Sequence, residues 1–259
     1  MRAVARLSAL GLALAASAFV VSPAMAGEPG GVVTGSAWID SNGDGIRQPG
    51  EPPLAGYGFL VPGVYYAGTT DENGNYRIED VPAGKHVVTM FSRGGGWAFT
   101  KSGRDSDFDR NTLQTQEFTL TPGGEVGPFD AGFVKEQYDP AVSRVDAPRF
   151  MKVGSEVDVE VTYRNKSNIP TPLHGIATLP QGLTPLSTNA PAGFIDGQQV
   201  YLSSIYQADT FIGESVTYTV KARVDAPIDC GEVVATVGTN GWADTNTRNN
   251  LKKTQISAS

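Results

Sequence analysis

The sequence predicts an all-β chain folded as two consecutive β-sandwich domains, on three observations. Short β-branched and aromatic runs recur along it, such as Val87-Val88-Thr89-Met90-Phe91, Glu117-Phe118-Thr119-Leu120 and Val216-Thr217-Tyr218-Thr219-Val220. Turns separate them, in a chain that carries 31 glycines and 17 prolines among its 259 residues. No segment holds a helical period over three turns, and strands of this length and spacing close into sandwiches.

The elements follow in chain order. Arg2 and Arg6 open a charged start, Leu7 to Val21 is apolar, and Ala24-Met25-Ala26 is a small-x-small cleavage pattern. This is the form of a secretory leader, too short for a retained span, so residues 1–26 are expected to be removed and the mature chain to be secreted. No later stretch is long and apolar enough for a membrane helix. About 230 residues then remain, a length for two domains. We place their boundary in the polar connector Val134 to Pro140, giving domains at 27–136 and 137–259.

Losing Arg2 and Arg6 leaves 18 basic residues against 27 acidic ones, a net charge of −9. That balance, without a basic cluster, disfavours nucleic acid, and no nucleic-acid partner is expected. Cys230 is the single cysteine, so no intramolecular disulfide forms, and it is expected to be buried as a small hydrophobe.

Asp40 to Glu51 reads D-S-N-G-D-G-I-R-Q-P-G-E, an oxygen-ligand calcium loop without a mismatch. Calcium takes six to eight hard oxygens at roughly 2.3–2.6 Å. Asp40, Asn42 and Asp44 supply side-chain oxygens, Ile46 its carbonyl, and Glu51 closes the site with two oxygens. Gln48 acts through a water, and Gly45 sits where a Cβ would obstruct the turn. A run of Asp, Asn and Gly is more often a plain turn, but the glycine and closing glutamate at the right offsets favour Ca2+. Strand-like flanks and Pro52-Pro53 exclude the paired helices of an EF-hand.

Gly35 to Glu51 continues into Thr70-Asp71-Glu72-Asn73-Gly74-Asn75-Tyr76, Val81-Pro82-Ala83-Gly84 and Asp130-Ala131-Gly132-Phe133. In this order the elements resemble the B-repeat domain of serine-aspartate repeat surface proteins, within the Cna-B-like, prealbumin-like group. The resemblance implies a Greek-key sandwich rigidified by calcium and serving as a stalk or spacer. Asp71, Asn73 and Asn75 are a further metal candidate, although Asn-Gly hairpins use the same residues for turn geometry. Asp105, Asp107 and Asp109 put three carboxylates on one face of an extended segment, to be relieved by a cation or by solvent. The internal isopeptide bond of some Cna-B-like domains needs a buried lysine on an early strand. No lysine precedes Lys85 in the mature chain, so that crosslink is not expected.

Val153 to Asn165, Leu179-Pro180-Gln181-Gly182-Leu183-Thr184 and Ala243 to Asn250 resemble DUF11-type immunoglobulin-like repeats, which implies an adhesive or structural sandwich. Asp244, Asn246 and Asn249 are expected to satisfy turn amides rather than calcium. His86 and His174 lack metal-pair spacing, and no nucleophile elbow is present. An enzyme is not expected. Together these features predict an extracellular structural or adhesive protein of a bacterial surface, with calcium as ligand and a host or cell-wall protein or glycan as partner. The alternative is a carbohydrate-binding module, or accessory protein of polysaccharide hydrolysis, using Trp97, Phe99, Tyr65 and Tyr66. Aromatics of a β-domain more often fill its core.

Overall fold

The computed structural model describes residues 28–65, 67–91, 96–203, 210–238 and 243–259. The leader at 1–26 and Tyr66 lie outside them. Among the described residues the only helical element is a single 3-10 turn, Thr247–Asn249. The fold is all-β, as the run-and-turn pattern predicts, and among the described residues no helix is long and apolar enough to cross a membrane.

Ten strands precede the connector: β1 (Gly31–Ile39), β2 (Gly58–Leu60), β3 (Ala67–Thr69), β4 (Asn75–Val81), β5 (Gly84–His86), β6 (Thr89–Met90), β7 (Trp97–Phe99), β8 (Phe118–Leu120), β9 (Glu125–Val126) and β10 (Ala131–Lys135). One sheet runs β4-β1-β10-β7 with β9 also on β1; smaller sheets are β3-β2-β6 and β5-β8. β1 is the spine, antiparallel to β4 and parallel to β10, with Ala37 opposite Ala131 and Ile39 opposite Phe133. Between the sheets an aromatic chain links Tyr76, Phe59, Phe108, Phe99, Phe133 and Tyr57, successive ring centroids lying 4.4–5.2 Å apart. Full burial of each such ring contributes about 1.5–3 kcal/mol. Phe99 belongs to this core, which removes it from any sugar platform, while Trp97 is partly exposed.

The remaining strands are β11 (Pro140–Asp146), β12 (Phe150–Met151), β13 (Glu156–Asn165), β14 (His174–Thr178), β15 (Leu183–Thr188), β16 (Phe194–Asp196), β17 (Gln199–Ser203), β18 (Ser215–Val224), β19 (Ile228–Val237) and β20 (Leu251–Ala258). They form a four-stranded sheet, β11-β13-β18-β15, and a six-stranded sheet, β12-β20-β19-β14-β17-β16. Alternating residues of both, including Val159, Val161 and Tyr163 from one and Leu202, Val233 and Ala235 from the other, share one core. A separate cluster, from Val33 to Phe133, is the core of the first ten strands.

Cys230 departs from expectation. It is exposed, at φ 52° on a bulge of β19 where the pairing to β20 shifts register between Ile228 and Gly231. The extra residue of a bulge leaves the ladder and turns its side chain out of the pleat, so the apolar character of the thiol does not decide its place.

Candidate cation-binding loop

Residues 40–51 form a closed loop on the end of β1. Its stems are pinned: Ile39 N–H donates to the Pro52 carbonyl at 2.8 Å, Leu54 N–H to Ala37 at 2.9 Å, and Trp38 bridges Pro53. Both flanks are therefore extended. Asp40, 2% exposed, has its N–H on the Phe133 carbonyl of β10. Its carboxylate accepts from Gly43 N–H at 2.7 Å, Gly45 N–H at 2.8 Å and the Thr100 hydroxyl at 2.5 Å. Gly45 has φ +80°, and a Cβ there would stand 2.6 Å from the Lys101 carbonyl oxygen.

The other predicted ligands line the same loop. Asn42 Oδ1 accepts from Asp44 N–H at 3.1 Å. Asp44 accepts from Ile46 N–H at 2.9 Å and Gln48 Nε2 at 2.8 Å. The Ile46 amide, followed by the Gln48 side chain, holds the Asp44 carboxyl below its ordinary range. Glu51 takes Ser41 N–H at 2.8 Å on one oxygen and Gln48 N–H at 3.1 Å on the other. Gln48 Oε1 is buried without a donor among the described residues.

In donor chemistry the loop fits a hard divalent cation: carboxylate, amide and carbonyl oxygens, no nitrogen or sulfur, and an orphaned oxygen at Gln48. Its acids are nevertheless turned onto separate amides. Among the described residues no group of three or more His, Cys, Asp or Glu stands together as a metal cluster. Asp40, Asn42, Asp44, the Ile46 carbonyl and Glu51 are the residues that would hold the ion, drawing Asp44 and Glu51 inward from their amides.

Tertiary structure adds a partner that the loop's own sequence does not contain. Phe108 is fully buried in the aromatic chain and Ser106 is buried beside it, so the alternation of Asp105, Asp107 and Asp109 leaves all three acids outward. Asp105 N–H then donates to the Gly45 carbonyl at 3.1 Å, and its carboxylate accepts from Arg47 N–H at 2.9 Å. Asp107 pairs with Asp130: Asp107 N–H donates to the Asp130 carbonyl at 2.8 Å, and Asp130 N–H to Asp107 Oδ2 at 2.7 Å. Asp130 Oδ1 accepts from Ser36 N–H at 2.7 Å. Burial, then the charges of Asp130 and Asp105, push the Asp107 carboxyl up. Arg47, Arg104, Asp105, Asp107 and Asp130 line a cavity of about 360 Å³.

The other candidates are placed apart. Asp109 Oδ1 caps a turn, accepting from Asn111 N–H at 2.9 Å and Thr112 N–H at 2.8 Å, and the Thr112 amide first lowers its pKa. Asp71 Oδ1 accepts from Asn73 N–H at 2.9 Å and Asn75 N–H at 2.8 Å inside its hairpin. Thr100, Ser36 and Arg47 are contributors that motif reading missed. Their only signal is proximity in the folded chain.

These features define the class: a β-sandwich module in which the loop after β1 carries a cation-ligand motif. Residues 32–133 match the family model of the SdrD B-like domain. No curated protein matches the chain. Similar solved structures include BcpA, the major pilin subunit of Bacillus cereus, at 13% identity and TM-score 0.30 for its D312A form, over 88% of this chain and 69% of that one. The RrgB pilus protein from Streptococcus pneumoniae matches at 14% identity and TM-score 0.35, over 80% of this chain and 48% of that one. The CARDB domain of PF1109 from Pyrococcus furiosus, solved in complex with di-metal ions, matches at 18% identity and TM-score 0.32, over 48% of this chain and 90% of that one.

Proposed function

We propose that this chain is an extracellular structural or adhesive protein of a bacterial surface. In this reading residues 1–26 are its leader, residues 27–136 a calcium-stiffened spacer, and residues 137–259 a DUF11-type immunoglobulin-like sandwich, with no catalysis. The SdrD B-like match supports the surface role, and the two separate cores support the division. The observation that carries the calcium reading is the anchoring of loop 40–51. It is fastened to β10 through Asp40, to the residue after β7 through Thr100, and to the acidic segment through Asp105. An ion gathering Asp40, Asn42, Asp44, Ile46 and Glu51 fastens those elements to one point.

The physical mechanism is linkage: an ion bound by the folded loop and not by the unfolded chain stabilises by about 1.4 kcal/mol at tenfold its Kd and about 2.7 kcal/mol at a hundredfold. Chelation is expected to lower the melting temperature of the spacer, and Asp44→Ala to remove most of that effect on the spacer's own transition. Scanning calorimetry on both proteins measures it. Superimposable wild-type melts with and without calcium would refute the reading.

A further inference from the structure

The end of the second sandwich that receives the connector holds a polar knot outside the loop already described. Tyr138 and Asp244 form a parallel bridge, and Thr245 N–H donates to the Tyr138 carbonyl at 2.8 Å. The 3-10 turn then carries the chain back, placing Asn249 Nδ2 on Asp139 Oδ1 at 2.7 Å. Asn246 N–H donates to Asp244 Oδ1 at 2.6 Å. This last bond is the turn role that the Asx pattern predicts. It uses only one of the available oxygens.

Asp244 Oδ2, Asn249 Oδ1 and Asn250 Oδ1 are all shielded from solvent and have no hydrogen-bond partner among the described residues. A carboxylate oxygen shielded from water without donor or counter-charge is disfavoured, and so, less strongly, is a shielded amide oxygen. None of the ion pairs among the described residues involves Asp139 or Asp244. Arg248, within the same turn, is exposed. Three orphaned oxygens within seven residues, tied by Asn249 to a further aspartate, ask for a cation and not for a donor.

We propose that Asp139, Asp244, Asn249 and Asn250 form a second cation site, independent of loop 40–51, and that its ligand is calcium. The donor set is all oxygen, which excludes the thiolate- and imidazole-seeking metals. Two carboxylates balance a divalent charge. Carboxylates mixed with Asn carbonyls suit the larger, flexible coordination of calcium better than the water-rich octahedron of magnesium. The ion would staple the entry to β11 at Asp139 to the entry to β20 at Asn250, directly behind the connector.

The test is calorimetric titration of CaCl2 into the metal-stripped full-length mature chain, in an Asp44→Ala background that disables the first loop. That background is expected to retain one calcium-binding event, and Asp244→Asn to weaken it at least about tenfold, because ligand charge sets affinity at such sites. Asn250→Asp is expected to tighten it. In chelator, Asp244→Asn should melt no lower than its parent, since it removes an unpartnered charge. This control separates a lost ligand from a lost fold. Identical titrations for Asp44→Ala and the Asp44→Ala/Asp244→Asn double variant would overturn the proposal. So would calcium-independent destabilisation by Asp244→Asn.

Discussion

At the scale of residues, position in the fold decides which polar groups carry chemistry. Asn165 is fully buried yet satisfied, its amide donating to Ile169 and Thr210 carbonyls at 2.8 Å while its oxygen accepts from Ser167 N–H at 2.9 Å. It holds a loop closed and has nothing to offer a ligand. His174, at the start of β14, bonds through Nδ1 to the Ser203 hydroxyl at 2.6 Å, and burial depresses its pKa from the ordinary 6.5. The unfolded chain therefore takes up the proton first. Stability is fully present above about pH 6.5 and is lost as pH falls from there through the lower folded value. Denaturant melts between pH 7.5 and 5 should show this decline for the wild type. His174→Gln, which cannot charge, should flatten it.

At the scale of elements, close approach between sheets explains a glycine that motif reading passed over. Gly175 of β14 lies between Leu202 of β17 and Val237 of β19. A Cβ there would stand 2.2 Å from the Tyr163 hydroxyl and 2.4 Å from the Thr236 carbonyl. Tyr163 projects across from β13, and its hydroxyl is buried without a partner among the described residues. Gly175→Ala should therefore cost about 1–3 kcal/mol, as overpacking does in a closed core. Tyr163→Phe should recover part of that loss by deleting the hydroxyl, which is both one of the close contacts and an orphaned polar atom, while the ring Cζ at 2.3 Å and the Thr236 carbonyl remain. Urea denaturation of the two single variants and the double one measures the coupling, and strict additivity would contradict it.

At the scale of the whole molecule, Asn168 ties the chain after β13 to the connector. It reaches from the second sandwich to the connector, donating Nδ2 to the Lys135 carbonyl and accepting from Gln137 N–H, both at 2.8 Å. Its own carbonyl receives Arg110 from the acidic-segment turn at 3.5 Å, and Ile212 N–H donates to Asn111 Oδ1 at 2.9 Å. The connector is thus gripped from both sides. Asn168→Ala is expected to speed hydrogen exchange at the Gln137 amide by about tenfold or more, with core amides of both sandwiches unchanged. Unaltered exchange at Gln137 would mean that the connector is held by other contacts.

The local signals were legible in the sequence because they act over a few residues. Alternation of β-branched residues gave strands, glycine and proline gave turns, and the spacing from Asp40 to Glu51 gave a loop that supplies only hard oxygens. Carboxylate identity alone could not separate the three acidic candidates. Burial of Phe108 sends Asp105 to the loop and Asp107 to Asp130, while Asp109 and Asp71 cap turns. Nor could the sequence expose the unpartnered oxygens of Asp244, Asn249 and Asn250, or turn Cys230 outward. Whether a polar atom is satisfied depends on donors brought from distant positions in the chain. Local spacing fixes what a residue can offer; tertiary packing fixes what is left over to offer.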